Sequence, residues 1–286
     1  MDEYIFYTDR FVSVAVPYVD DSFVSSHHRK IGAGEVGDLI NTYKTVSSRN
    51  RLLSGLLNEL AKVNRTKSID VLDIGVYMGV FSIGIDLVGR SLGISTNIDA
   101  YEANPLLIAA IIKNFRLYET KGNLHWSAIG RAHGSQELIA REGGAIGGSL
   151  VNIAKSGNFF SCNVDVLSLS EALQDKPEIG LIKIDIEGYE VPAFSSIYGN
   201  KNRLNNVFIV EYSPKQGEQA ISEGVSYNDF IMSNFNVFNV GNWAWFNRSH
   251  RILDKHGLVN CVLGNGSYNT DLLFLPKGLD LDPNDF

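Results

Sequence analysis

At 286 residues, with 44% hydrophobic and 20% charged side chains, the chain is long enough for one large globular domain with extensions. Its formal charge of −7 argues against a nucleic-acid backbone or an anionic membrane surface as the main partner, because both need a basic footprint. Two distant cysteines, Cys162 and Cys261, lack metal-ligand spacing and point to a reducing compartment without a disulfide framework.

Residues 1–66 read as an N-terminal extension. Its start, Met1-Asp2-Glu3-Tyr4, lacks the basic-then-apolar pattern of a leader, and no run anywhere approaches ~20 apolar residues, so a cytoplasmic chain without a membrane span is expected. The stretch from Phe11 to Val16 has strand character and closes at Pro17, while Asp20-Asp21-Ser22 and Gly32-Ala33-Gly34 mark loops. His27-His28 carries no metal-site expectation, since adjacent side chains point apart and no third ligand lies near. Beyond Ser48, the apolar residues Leu52, Leu53, Leu56, Leu57, Leu60 and Val63 recur at helical spacing and predict an amphipathic helix covering the sheet.

Residues 67–286 carry the chemistry. The run Ser68 to Ile74 is a short apolar segment that stops after Asp73, turns through Gly75 and Gly79 and resumes with a helical pattern, which reads as strand, loop, helix. Gly75 lets a ligand lie against the main chain, and Gly79 lets the helix pack close to the strand. The dinucleotide fingerprint G-x-G-x-x-G is not met, because position 77 is Tyr. An acid at the strand end disfavours a pyrophosphate and favours a cationic or zwitterionic ligand. S-adenosylmethionine, with its amino group and sulfonium, fits. The alternatives left open are a glycine-rich turn in some other α/β protein, an NAD-dependent oxidoreductase, and a non-catalytic Rossmann-like binding module.

The next strand, Thr96 to Glu102, again ends in an acid, placed to accept both ribose hydroxyls, and Ala103-Asn104-Pro105 turns into a helix from Leu106 to Leu117. Asn123 to Gly130 reads as the third strand, with Ser127 and Ala128 where an adenine ring would lie. Gly134 to Glu142 suggests a short strand outside the main repeat. The glycine-rich stretch from Gly143 to Leu150 suggests a lid or a plain surface connection. Asn163 to Leu169 alternates like an edge strand, followed by a short helix from Ser170 to Gln174.

A second concentration of chemistry follows from Ile179 to Glu190. Period-2 alternation puts Leu181, Lys183 and Asp185 on one face, and a Lys inside a buried strand must be paired or reach out of the core. Asp185 stands at the carboxyl end of the strand, Glu187 follows in the loop, and Glu190 starts a helix, where an acid is favoured on structural grounds alone. Val207 to Glu211 is the fifth strand, so Asp185 and Glu211 should top neighbouring strands. They are then candidates for a divalent-cation site, for general-base chemistry, or for an ion-pair network with Lys183. A helix from Tyr227 to Ser233, a strand from Asn236 to Val240 and a last strand from Thr270 to Pro276 complete the pattern. Trp243, Trp245, Phe246 and His250 line a pocket or pack under a loop.

Val71-Leu72-Asp73-Ile74-Gly75 through Gly79-Val80-Phe81-Ser82, Tyr101 to Pro105, Leu181 to Glu190, Ile209-Val210-Glu211 and Asp271 to Pro276 together resemble the FkbM-type family of S-adenosylmethionine-dependent methyltransferases. The segment Lys183-Ile184-Asp185-Ile186-Glu187-Gly188-Tyr189-Glu190 is the most specific, and the resemblance runs from about Ile69 to Lys277. It implies an α/β fold with a Rossmann-like, seven-stranded, mostly parallel sheet whose last strand is antiparallel, and methyl transfer to a hydroxyl of a sugar, glycan or secondary metabolite. It implies donor contacts from Asp73, Gly75, Tyr77, Gly79, Glu102, Ala103, Ser127, Ala128 and Asp185, and chemistry from Asp185, Glu187 and Glu211. Two departures stand out: the family's D-I-G-A-N-x-G loop has Val76 and Tyr77 here, and its L-D-D segment is Leu169-Ser170-Glu171. The sequence leaves the acceptor, metal dependence and oligomeric state open.

Overall fold

The computed structural model describes residues 4–8, 12–17, 51–141, 150, 159–176, 180–241, 250–263 and 269–283, with backbone alone at 4–8, 12–17, 141, 250 and 263. His27-His28, the two N-terminal loops, the glycine-rich stretch through position 149 and the aromatic segment 243–246 lie outside the described residues, as does the side chain of His250.

In chain order come strands β1 (Tyr4–Thr8) and β2 (Val12–Pro17), helix α1 (Arg51–Val63), β3 (Ser68–Ile74), α2 (Val80–Leu92), β4 (Ser95–Glu102), α3 (Pro105–Tyr118) and β5 (Gly122–Trp126). Next are β6 (Ala128–Gly130), β7 (Gly134–Arg141), β8 (Phe159–Ser168), α4 (Leu169–Ala172), β9 (Leu181–Ile184), α5 (Glu190–Ser195), β10 (Val207–Tyr212) and α6 (Pro214–Gly217). The chain continues through β11 (Ala220–Ser222), β12 (Val225–Ser226), α7 (Tyr227–Asn234), β13 (Phe235–Asn239), β14 (His250–Ile252), α8 (Lys255–Leu263) and β15 (Thr270–Pro276).

The main sheet has ten strands in the order β1-β2-β5-β4-β3-β9-β10-β15-β13-β14. Its centre, β5-β4-β3-β9-β10-β15-β13, is the expected seven-stranded arrangement, with β15 antiparallel to both neighbours. The three further strands lie at the edges: β2 adds parallel to β5 and carries β1, and β14 adds antiparallel to β13. The first and second of the predicted nucleotide-binding strands, β3 and β4, lie side by side and parallel, and β9 flanks β3 on the other side.

Side-chain alternation divides the core into two layers. Val71, Ile98, Ala100, Leu124, Leu181 and Ile209 face α1, α2 and α3, whereas Leu72, Ile74, Ile182, Ile184, Phe208 and Val210 face α5, α7 and α8. The stripe of α1 is buried at Leu52, Leu53, Leu56, Leu57 and Leu60 as its spacing predicts, whereas Val63, in the last turn, is exposed. Helix α3 starts where Asn104 accepts a hydrogen bond from the Leu106 amide at 3.0 Å and Pro105 occupies the first helical position.

Three expectations change. The stretch from Asn123 to Gly130 is two strands, not one, because the chain leaves the main sheet after Trp126 and β6 pairs instead with β8. The alternating stretch around Asn163 is not an edge strand: β8 runs from Phe159 and occupies the middle of a second, three-stranded sheet, β6-β8-β7, which contains the predicted strand after Gly134. A row of small and apolar residues on β8, buried at Val164 and Val166 against Ala128 and Leu138, gives that sheet its own small core. Helix α4 is shorter than expected. Ser168 and Glu171 close a reciprocal capping box at its start, so Glu171, where the family has an Asp, spends its carboxylate on the helix.

Candidate active site

The turn after β3 is held on every side. Asp73 is fully buried, and one of its carboxylate oxygens accepts from the Ser82 amide at 3.1 Å and the Ser82 hydroxyl at 2.6 Å, which ties the strand end to the first turn of α2. Gly75 has φ +81°, and a Cβ there would stand 1.7 Å from the Asp185 carbonyl oxygen, so nothing larger fits. Its amide donates to the Tyr101 carbonyl at 2.9 Å. Tyr77 is left-handed at φ +57°, a conformation a bulky residue holds only when its surroundings fix it. The fixing contact is its amide, which donates to Glu102 at 2.9 Å. Gly79, at φ +86°, lies against the Phe115 ring, and Asn114 donates to the Met78 carbonyl at 2.9 Å.

Glu102, at the end of β4, is buried and clamps this turn: one carboxylate oxygen accepts from Tyr77, the other from the Asn104 amide at 2.7 Å. Burial pushes it up to about 7, against the pull of those two amides. Beside it, Trp126 donates from its indole to the Ala103 carbonyl at 3.0 Å. Ser127 and Ala128 are buried at the break between β5 and β6, and the Ser127 hydroxyl has no hydrogen-bond partner among the described residues. Asp73, Gly75, Tyr77, Gly79, Glu102, Ala103, Ser127 and Ala128 therefore gather around the carboxyl ends of β3, β4 and β5, the crevice where open α/β sheets bind ligands.

The second group sits at the same end of β9, β10 and β15. Asp185 follows β9, with its amide on the Ile74 carbonyl at 3.0 Å, and Glu211 lies beside it on β10. Asp271, on the antiparallel β15, is paired in register with Glu211. Glu187 is left-handed at φ +54° and is followed by Gly188 at +96°. Burial, then repulsion from Asp185, raises Glu187 above the usual carboxylate range. Glu211 is pushed up to about 9 by burial first and then by Asp185, Glu190, Glu187 and Asp271. Asn269 donates to it at 2.5 Å. Glu190, fully buried, accepts from the Ile186 amide at 2.9 Å and from Gln216, and so fastens the loop, as its place at a helix start suggests.

Lys183 is also buried. Its ammonium donates to the Gly75 carbonyl at 2.5 Å and lies 3.4 Å from Asp185 and 3.6 Å from Asp73. Burial alone would pull it down, but Asp185, Asp73 and Asp271 hold it above its ordinary value. The ion-pair network anticipated for Asp185 is therefore present. A divalent-cation site at Asp185 and Glu211 gains no third ligand, since no three His, Cys, Asp or Glu side chains among the described residues are grouped to hold a metal ion.

Sequence reasoning did not single out Ser82, Asn114 or Asp271. The first two act by bonding main chain or a partner acid, which no motif announces. Asp271 carried a usable signal: an acid opening an apolar strand that runs antiparallel starts at the same sheet end where its parallel neighbours finish.

The strand order with its antiparallel seventh strand, the glycine turn and the acids at successive strand ends define an α/β domain of the Rossmann-like methyltransferase class. A family model described as the Methyltransferase FkbM domain matches residues 82–241, more than half of the chain, and the chain belongs to that family.

Among solved structures, the FkbM methyltransferase of Methylobacillus flagellatus KT is 13% identical over 87% of this chain and 62% of its own, with a TM-score of 0.42. The precorrin-6y C5,15-methyltransferase of Geobacter metallireducens GS-15 is 14% identical over 78% and 85%, with a TM-score of 0.36. The bifunctional kinase-methyltransferase WbdD is 12% identical over 90% and 42%, with a TM-score of 0.39. The chain thus spans about three fifths of the Methylobacillus protein and under half of WbdD. No curated protein sequence matches it. No helix among the described residues is long and apolar enough to cross a membrane.

Proposed function

We propose that the chain is an S-adenosylmethionine-dependent O-methyltransferase acting on a hydroxyl of a sugar, glycan or other small molecule. The observation that carries this reading is the continuity of the site: the turn clamped by Glu102 touches, through Gly75, the backbone of Asp185, so the donor cradle and the acid row share one edge. The residues fit the donor. A cradle that any Cβ would fill, a clamped acid with lone pairs to spare for ribose hydroxyls, and a buried hydroxyl lacking a partner suit an adenosine that carries no phosphate.

When bound, S-adenosylmethionine would supply an electrophilic methyl group on its sulfonium. Glu102 would hold the ribose, Gly75, Tyr77 and Gly79 the main-chain cradle, and Ala103, Ser127 and Ala128 the adenine side. Asp73, buried and committed to Ser82, would hold the turn from beneath. On the acceptor side, Asp185 or Glu187 takes the hydroxyl proton. Glu211 keeps its own proton at neutral pH and donates a hydrogen bond that orients the acceptor.

Calorimetric titration with S-adenosylhomocysteine tests the donor half: saturable one-to-one binding is expected, and a folded protein that gives no heat overturns it. Ultraviolet absorbance after denaturation separates this reading from an oxidoreductase, since a retained nicotinamide would contradict it. Transfer of a labelled methyl group to a panel of sugars and hydroxylated metabolites tests the acceptor half, and labelling confined to amines would overturn O-directed transfer.

A further inference from the structure

We propose that Lys183 is a positioning residue that locks the glycine turn to the acid row, fixing the spacing between donor cradle and acceptor-side carboxylates. The inference deepens the methyltransferase reading and rests on it for its functional meaning, not for its geometry.

Register places Lys183 directly opposite Asp73 on the neighbouring strand, on the face covered by α2, with an apolar residue, Ile209, opposite on its other side. A lysine in such a position needs a reason, because buried ion pairs add little net stability compared with apolar residues of the same size. Charge balance is one reason but does not explain where the ammonium goes. Its shortest contact is not with either acid; it is the 2.5 Å bond to the Gly75 carbonyl, while Asp185 and Asp73 stay at 3.4 and 3.6 Å. One oxygen of Asp73 is buried without a hydrogen bond among the described residues, 3.6 Å from the ammonium, so the ammonium has been given to the turn in preference to its in-register acid.

The consequence is mechanical. The Gly75 amide is fastened to β4 through Tyr101, and the Gly75 Cα abuts the Asp185 backbone. The carbonyl of the same residue is fastened to β9 through Lys183, whose charge also faces the Asp185 side chain. A compact ammonium with three rotatable donors can serve a carbonyl and two carboxylates that share no plane, which a guanidinium fork cannot. Lys183 thereby sets where the turn and Asp185 sit relative to one another before any ligand arrives.

The test separates position from charge. Removing the lysine alone strands two acids and endangers folding, so K183M/D73N is compared with D73N, in which the Asn can still accept from Ser82. Hydrogen–deuterium exchange of the 73–82 peptide in ligand-free protein should be slow in D73N and about tenfold or more faster in K183M/D73N, while peptides of α7 and β13 exchange alike in both. Affinity for S-adenosylhomocysteine should fall about tenfold between the same two proteins at matched thermal stability. Equal exchange at 73–82 in the two folded proteins overturns the proposal. If wild type does not bind S-adenosylhomocysteine, the donor reading fails, and the exchange comparison still decides the role of Lys183.

Discussion

Glu211 and Asp271 stand opposite each other in register across β10 and β15, two carboxylates at a sheet end where Asp185 also follows its strand. The burial of acids along this sheet end has a thermodynamic signature. Glu211 is pushed up to about 9 and Glu102 and Glu190 to about 7, all above the value of about 4.3 expected in the unfolded chain. The folded state therefore holds protons that the unfolded state has released, and stability falls as pH rises from about 4.5 through 7, and on to about 9 for Glu211. Thermal melts between about pH 5 and about pH 9 should show a steadily declining Tm. A Tm that rises over that range would mean the acid row is solvated or neutralised.

The same linkage predicts that E211Q, which cannot ionise, gains upward of about 1 kcal/mol over wild type near pH 8 and several-fold less near pH 5. Because Asn269 donates to Glu211, the Gln side chain keeps an oxygen to accept that bond. An equal effect at both pH values would refer the change to packing instead of charge.

The fold was legible because its signals are local. The strands carry an acid at or beside their ends, at Glu102, Asp185 and Glu211, with apolar stretches before Asp185 and Glu211, and the helices carry leucine stripes or capping residues. What escaped is non-local. Whether Ile129 continues the strand of Leu124 or starts another depends on which partner waits for it, and β8 supplies that partner from far along the chain. Tyr77 stands in place of the family's Asn. In the structure its backbone matters: Asn adopts a positive φ easily, and here Glu102 holds Tyr in that conformation instead. Lys183 is conspicuous in an apolar strand, but its preference for the Gly75 carbonyl over Asp73 depends on where the fold brings the turn.

Two glycines of the same region should respond to alanine with opposite signs. G75A places a methyl 1.7 Å from a backbone oxygen at φ +81°, and a loss of about 3 kcal/mol or more, near 10 °C in Tm, is expected. Gly84, inside α2, has nothing within 4 Å of an added Cβ, so G84A should stabilise by about 0.5–1 kcal/mol through helix propensity. Differential scanning calorimetry of the two variants decides it, and a tolerated G75A would show that the turn is not pressed against Asp185.

Glu102 links the turn to the proposed ribose contact, so its loss should strike ligand affinity harder than folding. E102A should bind S-adenosylhomocysteine about 10- to 100-fold more weakly, as expected for hydrogen bonds to a charged acceptor. Since Glu102 is pushed up to about 7, wild-type affinity should also rise as pH climbs through that value and the carboxylate ionises, while E102Q should show a flat profile there. Calorimetry across that range checks both, and a pH-independent wild type would remove Glu102 from the ligand contacts.

Ser127 offers the most discriminating test, because its two expected effects oppose each other. The hydroxyl is buried with no partner among the described residues, so S127A should leave the ligand-free protein as stable as wild type or up to about 1 kcal/mol more stable. If that hydroxyl waits for the adenine side of the donor, the same substitution should weaken S-adenosylhomocysteine binding about three- to tenfold. A variant that melts higher yet binds less tightly would place the ligand beside Ser127, whereas unchanged affinity would move the adenine site away from the break between β5 and β6.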